Sequence, residues 1–557
     1  MNGKWYIASG LLICLACFIP VFTVIYWRSH PPEDFVNIGF LQPDQPTYTA
    51  FYRSVFERGN GFSYSSPYTT PGKDNPPVSF QLSFTLLAWI WKITGGRIIL
   101  TWEIFRVIFG IGFFALVFVF AREVFSRFYP DAEKTAFGRW FIFSFFAILL
   151  LGGGVAWIIA GFHYLVSLLS GNPKDYMVFF KGVERPYGDW FLCLFRNAFY
   201  PLELFHHFCF FLAAVGVLKK KPLLILSGQV LACMGGVFGG IEVSAVLLSF
   251  YAVEIILERK RRSLTLPIAC MGVLILFLSY YKIFLTLFPA TRSLIEQHEL
   301  THLGIIPPAS FFPGYGIFLL AAPAVFLSGK FRRVVTGSRE GRFLLVWIFV
   351  VTLLIQNDKI LTYSRSIQPS HFTRGYLYTA LVTVSLLGIY PALVRLFEKK
   401  RTIAFFLPLV LLLILIPDNI LYVSNYYLDT PLPLTLTHPV ESMETFSFLN
   451  SLPEQETIFC SDLRMGNQIP ALTPHHCMYG HLPVTPYARE KVDLGGDFMK
   501  NRNVDLFLEK YRVTLLVIFL KNHYFFEERV RRHEWPILHE NDWWRVYRTA
   551  DPGHRPN

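Results

Sequence analysis

Long apolar runs recur through most of this chain and decide what it can fold into, because a helix of about 20 apolar residues is long enough to cross a bilayer. Of the 557 residues, 53% are hydrophobic and only 16% are charged. We therefore predict an α-helical polytopic membrane protein with about 11 transmembrane helices and additional interfacial helices. The predicted crossings are residues 6–25, 101–120, 140–151, 202–218, 223–234, 243–256, 266–284, 315–327, 343–355, 376–397 and 403–423.

Basic residues gather in five clusters, and each cluster separates two predicted crossings. These clusters lie within residues 122–139, 219–221, 259–262, 330–342 and 399–401. Because basic loops stay in the cytoplasm, eleven crossings place the N-terminus inside and everything after residue 423 outside. The pattern is typical of a multi-pass plasma membrane protein, in bacteria an inner-membrane protein. It also explains the net charge of +12 without nucleic acid as a partner.

The chain is predicted to divide into a membrane domain, residues 1–424, and a small soluble α/β domain outside the cytoplasm, residues 425–557. Residues 28–100 form the first external loop. The apolar run 78–93 within that loop is expected to lie in the membrane interface, since a crossing there would break the topology. The run 155–169, which follows three glycines, is a candidate for the same placement. Of the eight cysteines, only Cys460 and Cys477 are candidates for a disulfide.

Asp44 is the candidate catalytic residue of the first external loop. It stands in the segment Pro43-Asp44-Gln45-Pro46-Thr47-Tyr48. A carboxylate at this place can accept or orient the proton of an attacking hydroxyl or amide. The alternative is a plain turn, because Pro-Asp-Gln-Pro is favourable turn chemistry without any catalysis.

The first loop resembles that of the GT-C superfamily of membrane glycosyltransferases, in which an acidic loop residue sits at the catalytic centre. The resemblance rests on Pro43-Asp44, Tyr48, Arg53, Gly59 and Asn75-Pro76-Pro77. Further landmarks are Glu103 and Arg106, Pro201 with His206-His207, Pro307-Pro308, residues 369–375 with His371 and Arg374, residues 472–474 and residues 480–486. The resemblance implies a polyprenyl-phosphate-linked sugar as donor and inversion at the sugar carbon. We assign Tyr48, Arg53, Glu103, His206, His207 and His371 to substrate or lipid-phosphate binding.

Arg374 is the leading candidate for the lipid phosphate, because a guanidinium grips a phosphate through two parallel hydrogen bonds. Arg365 and Lys359, in the same external loop, are rivals for this role. The alternative for Arg374 is a cation at a helix end that reaches towards the membrane interface.

Metal binding is possible but not favoured by the sequence. The first loop lacks the paired Asp-x-Asp or Glu-x-Asp that would hold a metal, although Asp34, Asp74, Glu184 or Asp189 could add a second acidic group. In the tail, His475, His476 and His481 are interleaved with prolines and lack a regular ligand spacing. They are better explained as parts of a loop that folds over the sugar site. No other cofactor is predicted.

His206 and His207 lie with Glu203 just inside an apolar run, and Glu242 lies inside another. Ionisable residues in such runs usually face an interior cavity. A histidine packed between helices is an equally good explanation for either imidazole, and no zinc-ligand spacing is present.

Three functions fit the sequence. The first is a glycosyltransferase that moves a sugar from a polyprenyl-phosphate carrier to a glycan, lipid or protein acceptor on the extracytoplasmic face. The second is a transporter or flippase of lipid-linked glycans, although the repeated halves typical of transporters are not visible. The third is a non-catalytic membrane scaffold with the GT-C fold.

Overall fold

The computed structural model describes residues 3–28, 30–31, 33–42, 44–70, 72–171, 174–188, 193–258, 264–300, 308–360, 368–424 and 437–549. Two compact units are present. The first, called here the helical unit, comprises Met1–Val24, Arg106–Phe277 and His302–Thr430. The second, the mixed unit, comprises Ile25–Phe105, Leu278–Thr301 and Pro431–Asn557. The units therefore interleave along the chain, whereas the predicted domains follow one another with a boundary after residue 424.

The α-helices, in chain order, are α1 Gly3–Arg28, α2 Gln45–Glu57, α3 Leu82–Ile93, α4 Ile98–Phe128, α5 Ala136–Leu151, α6 Ala156–Leu169, α7 Tyr176–Gly188, α8 Pro201–Lys219, α9 Pro222–Gly235, α10 Val237–Glu258, α11 Thr265–Leu278, α12 Pro289–Leu300, α13 Phe311–Tyr315, α14 Phe318–Val325, α15 Gly329–Gly337, α16 Arg339–Ile355, α17 Asn357–Ile360, α18 Tyr378–Lys399, α19 Arg401–Val423, α20 Val440–Ser451, α21 Leu463–Leu472, α22 Ala488–Met499, α23 Val504–Tyr511 and α24 Leu520–Arg531. The strands are β1 Phe35–Asn37, β2 Thr437–Pro439, β3 Thr457–Cys460, β4 His476–Cys477, β5 Leu515–Phe519, β6 Ile537–Glu540 and β7 Trp544–Arg548.

Six helical stretches of the described chain are long and apolar enough to cross a membrane. They are Ile98–Phe128, Pro201–Lys219, Val237–Glu258, Thr265–Leu287, Pro369–Lys399 and Arg401–Val423. The prediction of a polytopic helical membrane protein is thereby confirmed, while about 11 crossings stays a prediction. Some predicted crossings are short helices: the run 223–234 is α9, with 14 residues, and the run 315–327 is divided at Gly316, whose φ is +58°.

The three glycines at 152–154 separate α5 from α6, and the two helices are bent by 65° relative to each other. Gly153 donates its backbone N–H to the carbonyl of Leu415 at 3.0 Å, so α19 passes close to the break. Asp418 of α19 accepts the backbone N–H groups of Ala156 at 3.0 Å and Trp157 at 2.7 Å. Those N–H groups belong to the first turn of α6, where they lack helical partners. The bend is consistent with a broken or re-entrant span.

The mixed unit is built on a five-stranded sheet with strand order β4-β3-β5-β7-β6. Strand β3 is parallel to β4 and β5, and β7 is antiparallel to β5 and β6. Its core is an aromatic cluster that includes Phe459, Phe498, Phe507 and Phe526. Cys460 and Cys477 are both free, buried thiols, and the Sγ of Cys477 donates to the carbonyl of Tyr479 at 3.1 Å. The possible disulfide is therefore not formed.

The first external loop and the tail fold together within the mixed unit. Strands β1 and β2 pair in antiparallel register, and α2 packs against α21. Arg53 Nη1 donates to the carbonyl of Ala471 at 2.8 Å, and Arg58 Nη2 donates to that of His475 at 2.7 Å. Carbonyls at and beyond a helix C-terminus need such donors. Two arginines of the loop thus hold the end of α21 and the segment after it.

Candidate functional site

Asp44 occupies the N-cap position of α2, and its backbone carbonyl accepts the N–H of Tyr48 at 3.1 Å. Pro46 follows in the first turn, where a proline favours helix initiation. The carboxylate of Asp44 does not cap the helix and its side chain is 44% exposed. The segment Asp44-Gln45-Pro46 therefore starts a helix and presents a solvent-accessible carboxylate.

Buried hydrogen bonds hold the start of α2 in place. The side-chain oxygen of Gln45 accepts the backbone N–H groups of Leu41 and of Gln42, the second at 3.2 Å. Thr47 Oγ1 donates to Oδ1 of Asn467 on α21 at 2.9 Å. The hydroxyl of Tyr68 donates to the same oxygen at 2.6 Å. Asp44 thus stands on a rigid support to which the tail contributes.

His481 is the residue that the tail brings to Asp44. Its Nε2 lies 3.4 Å from Oδ1 of Asp44, and its side chain is 35% exposed. The preceding Gly480 passes so close to α21 that a Cβ would lie 2.6 Å from Cα of Asn467. Glycine is therefore needed for this close approach. The sequence predicted that this tail loop folds over the site, and His481 does meet Asp44.

The other two tail histidines, His475 and His476, are buried in the core of the mixed unit. His475 is fully buried, with Nε2 at 2.6 Å from the carbonyl of Leu449 and Nδ1 accepting the N–H of Glu456 at 3.0 Å. Burial lowers the pKa of His475, and it lowers the pKa of His476 well below its ordinary value of 6.5. Both are therefore neutral core residues near pH 7. Within the described ranges, no group of three or more His, Cys, Asp or Glu residues could hold a metal ion.

The helical unit contains a second polar cluster, in which two arginines share one carboxylate. Glu203, in the first turn of α8, accepts from Arg374 Nη1 at 2.5 Å and from Arg196 Nη2 at 2.9 Å. Arg196 also donates through Nε to the other oxygen of Glu203. The side chains of Glu203 and Arg374 are each 14% exposed, and that of Arg196 is 3% exposed. Two guanidinium groups and one carboxylate therefore meet in a largely buried site.

Backbone irregularities place both arginines. Arg374 lies in a kink before α18, where Gly375 has a φ of +89°. A Cβ on Gly375 would lie 2.7 Å from Cδ2 of Leu194 and 3.2 Å from Nε2 of His207. Arg196 lies in the 3₁₀ turn Leu194–Ala198, and its guanidinium stacks 3.7 Å from the centre of the Tyr200 ring. Arg106 of α4 donates to the carbonyl of Ala198 and holds that turn.

The predicted histidines of the helical unit surround this cluster to different degrees. His207 is buried, stacks on Tyr376 with ring centres 4.0 Å apart, and its Nδ1 lies 2.9 Å from the carbonyl of Glu203. His206 faces Gly235, Gly236 and Gly239 at the α9–α10 junction. His371 stacks on Phe238, with ring centres 3.7 Å apart, and its Nε2 lies 2.8 Å from Oε1 of Gln368. His207 is therefore a direct neighbour of the cluster.

The remaining predicted residues lie in several places. Lys359 is exposed on α17, and its Nζ donates to Oε1 of Gln356 at 2.6 Å. Arg365 falls outside the described residues. Tyr48 and Glu103 are half-buried in the mixed unit, Tyr48 with its ring centre 5.8 Å from that of Phe84. Arg53 is buried and paired with Glu57 at 2.5 Å, so it supports α2 and α21.

Sequence reasoning missed Arg196. It precedes α8 by a few residues and lies in the segment before Pro201, but no motif or charge cluster marks it. A detectable signal is the pair Arg196 and Glu203 on either side of Pro201, which predicts a charged contact at the start of a helix. Asp44 and Arg374 belong to different units, and their convergence on one reaction stays a prediction.

No protein-family profile matches the chain, and no curated protein matches it significantly. Among solved structures, ArnT from Cupriavidus metallidurans bound to undecaprenyl phosphate aligns over 100% of this chain and 100% of its own, with a TM-score of 0.51 and 12% identity. The apo state of the same ArnT gives a TM-score of 0.46, with 12% identity over 100% of this chain and 99% of its own. The Archaeoglobus fulgidus oligosaccharyltransferase tethered to an acceptor peptide gives 0.49, with 11% identity over 93% and 70%. The likeness to this ArnT shows that the two chains share a fold, as the resemblance to the GT-C superfamily predicted.

Proposed function

We propose that this protein transfers a sugar from a polyprenyl-phosphate-linked donor to an acceptor on the extracytoplasmic face of the membrane. The observation that carries the proposal is the Arg196–Glu203–Arg374 cluster, which brings two guanidinium groups together in a largely buried site of a polytopic helical unit. A lipid phosphate is the anion that reaches such a site from within a bilayer. The ArnT with which this chain shares its fold is bound to undecaprenyl phosphate, which supports the same class of ligand here.

On the donor side, the arginines hold the phosphate that leaves the sugar. Guanidinium groups bind phosphate through paired, charge-assisted hydrogen bonds and stay protonated at all relevant pH values. Glu203 fixes the orientation of both groups before the donor arrives. Arg374 and Arg196 then stabilise the negative charge that grows on the phosphate as its bond to the sugar breaks. Lys359 and Arg365 are secondary candidates for the same anion.

On the acceptor side, Asp44 takes the proton. The acceptor oxygen or nitrogen attacks the anomeric carbon, the bond from that carbon to the phosphate oxygen breaks, and the acceptor proton passes to the Asp44 carboxylate. A single displacement of this kind inverts the configuration at the anomeric carbon. The exposure of the Asp44 carboxylate allows an acceptor to reach it. The acceptor class is a glycan, a lipid or a protein.

The test uses a strain that lacks the gene. Mass spectrometry of its envelope glycans, glycolipids and glycoproteins identifies the product as the species that disappears on deletion and returns with the wild-type gene. Asp44→Asn is expected to abolish that product while the protein level and melting temperature stay unchanged. Glu33→Gln, which changes an exposed carboxylate of the same loop, is the matched control and is expected to restore the product. Full restoration by Asp44→Asn would refute the proposal.

A further inference from the structure

We propose that His481 is a positioning residue for Asp44 and that it determines which carboxylate oxygen receives the acceptor proton. This inference rests on the proposed function and deepens it. It starts from the 3.4 Å separation between His481 Nε2 and Asp44 Oδ1, which joins two side chains far apart in sequence. Both side chains are partly exposed, so the contact lies at a surface that substrate can reach.

The surroundings of the imidazole decide which nitrogen carries its proton. Nδ1 of His481 is buried and has no hydrogen-bond partner among the described residues. A proton on Nδ1 would therefore be a buried donor without an acceptor, which is unfavourable. Nε2, by contrast, lies 3.4 Å from Oδ1 of Asp44, so a proton on this nitrogen has an acceptor nearby. The neutral tautomer with hydrogen on Nε2 therefore suits the surroundings of both ring nitrogens.

The two partners are held by a common support. Asn467 of α21 accepts a hydrogen bond from Thr47, which lies one helical turn beyond Asp44. The backbone of Gly480, next to His481, packs on the backbone of the same Asn467. Thr485 Oγ1 donates to the carbonyl of His481 at 3.0 Å and closes the loop. Asp44 and His481 are thus set against each other by α21 without any substrate.

The two carboxylate oxygens of Asp44 therefore have different roles. In the proposed reaction a proton on Nε2 of His481 occupies the side of Oδ1, and Oδ2 is left to take the proton of the attacking acceptor. After transfer, Oδ2 carries the hydrogen, Nε2 still lies beside Oδ1, and the imidazole has neither gained nor lost a proton. His481 therefore fixes the rotation of the Asp44 carboxylate, and such orientation accelerates a proton transfer.

The experiment compares three substitutions that differ in where they place a donor. Glutamine puts its amide N–H₂ near the position of Nε2, asparagine puts it near Nδ1, and leucine has none. Initial rates of product formation from endogenous donor are measured in membranes of the complemented deletion strain. His481→Leu and His481→Asn are expected to slow the reaction about tenfold or more, the effect of losing one hydrogen bond to a charged group, while His481→Gln stays within about threefold of wild type. His533→Leu, at an exposed histidine of the same unit, is the control and is expected to leave the rate unchanged.

The comparison of glutamine with asparagine separates positioning from folding, because both are polar amides and both variants are checked for wild-type melting temperature. Equal rates for His481→Gln and His481→Leu would overturn the inference, as would a wild-type rate for His481→Leu. Asp44→Asn is assayed in the same membranes. If Asp44→Asn is inactive and the His481 variants are all wild type, the inference fails alone; if Asp44→Asn is active, the proposed function fails.

Discussion

Arg374→Ala offers a clean perturbation of the proposed phosphate site. In the native cluster, Glu203 is bound by Arg374 through one contact and by Arg196 through two. Removing Arg374 therefore leaves the carboxylate paired with Arg196. Removing Arg196 instead would also abolish the stacking on Tyr200. We expect Arg374→Ala to fold and to remove one positive charge from the cluster.

The expected loss of affinity for the lipid phosphate follows from the hydrogen bond that Arg374→Ala removes. A hydrogen bond between a guanidinium and a charged oxygen contributes about 1.5–3 kcal/mol. At room temperature this corresponds to a roughly 10- to 150-fold weaker affinity for a lipid phosphate. Arg374→Lys keeps the charge but lacks the planar pair of donors, so we expect an intermediate loss of about 3- to 10-fold.

The assay is binding of undecaprenyl phosphate to purified protein, followed by native mass spectrometry and by the ligand-dependent rise in melting temperature. The rise in melting temperature becomes smaller as the affinity falls, because a ligand stabilises the folded state only to the extent that it binds it. Lys330→Ala is the matched control, since Lys330 is an exposed cation of the same unit, and we expect it to bind within about twofold of wild type. Wild-type affinity in Arg374→Ala, or an equal loss in Lys330→Ala, would refute the assignment of the phosphate to Arg374.

Two further predictions concern stability. Burial lowers the pKa of Lys491 from 10.5 to about 7, so above pH 7 the unfolded state binds more protons than the folded state. The free energy of unfolding should therefore rise with pH between about 7 and 10.5, by at most about 1.4 kcal/mol per pH unit. Lys491→Met should flatten the rise in melting temperature from pH 7 to 9.5, whereas the control Lys510→Met, at an exposed lysine, should not; equal slopes in wild type and both variants would contradict the prediction. Gly375→Ala should cost about 1–3 kcal/mol through its positive φ and the contacts with Leu194 and His207, and should weaken undecaprenyl phosphate binding by displacing Arg374. Gly182→Ala, at an open helical position, is its control, and an unchanged melting temperature in Gly375→Ala would show that the kink tolerates a side chain.

Hydropathy predicted the strongest spans because it is a local property. The apolar run 403–423 corresponds to α19, Arg401–Val423, and the run 266–284 lies within the candidate span Thr265–Leu287. The same reasoning does not detect a change of backbone conformation within an apolar run. Gly316, at a φ of +58°, separates α13 from α14 inside the predicted crossing 315–327. Composition alone cannot detect such a break, because neither half of the run becomes polar.

Contacts between distant segments were beyond the reach of the sequence. The sequence singles out the first loop through Asp44, but the contact between Arg53 and the carbonyl of Ala471 spans 418 residues. Arg53, which the sequence predicts to bind substrate, holds α2 and α21 together in the structure, and its role towards substrate stays a prediction. Arg196 was missed for a related reason: its importance comes from Glu203 and Arg374, and the second of these is distant in sequence.

Fixed orientation is the property that the two candidate clusters share. Glu203 already engages both guanidinium groups, so an incoming phosphate competes with a carboxylate for the same donors and binds less tightly than it would to two unopposed arginines. In return, the arginines do not have to be ordered when the donor binds, which removes an entropic cost. His481 and Asn467 impose a similar constraint on Asp44 and on the start of α2. Catalysis depends on groups that are oriented before the reaction begins, and weak ground-state binding of the lipid phosphate also assists release of the spent carrier. For the proposed transferase, this arrangement therefore favours turnover over tight retention of the lipid.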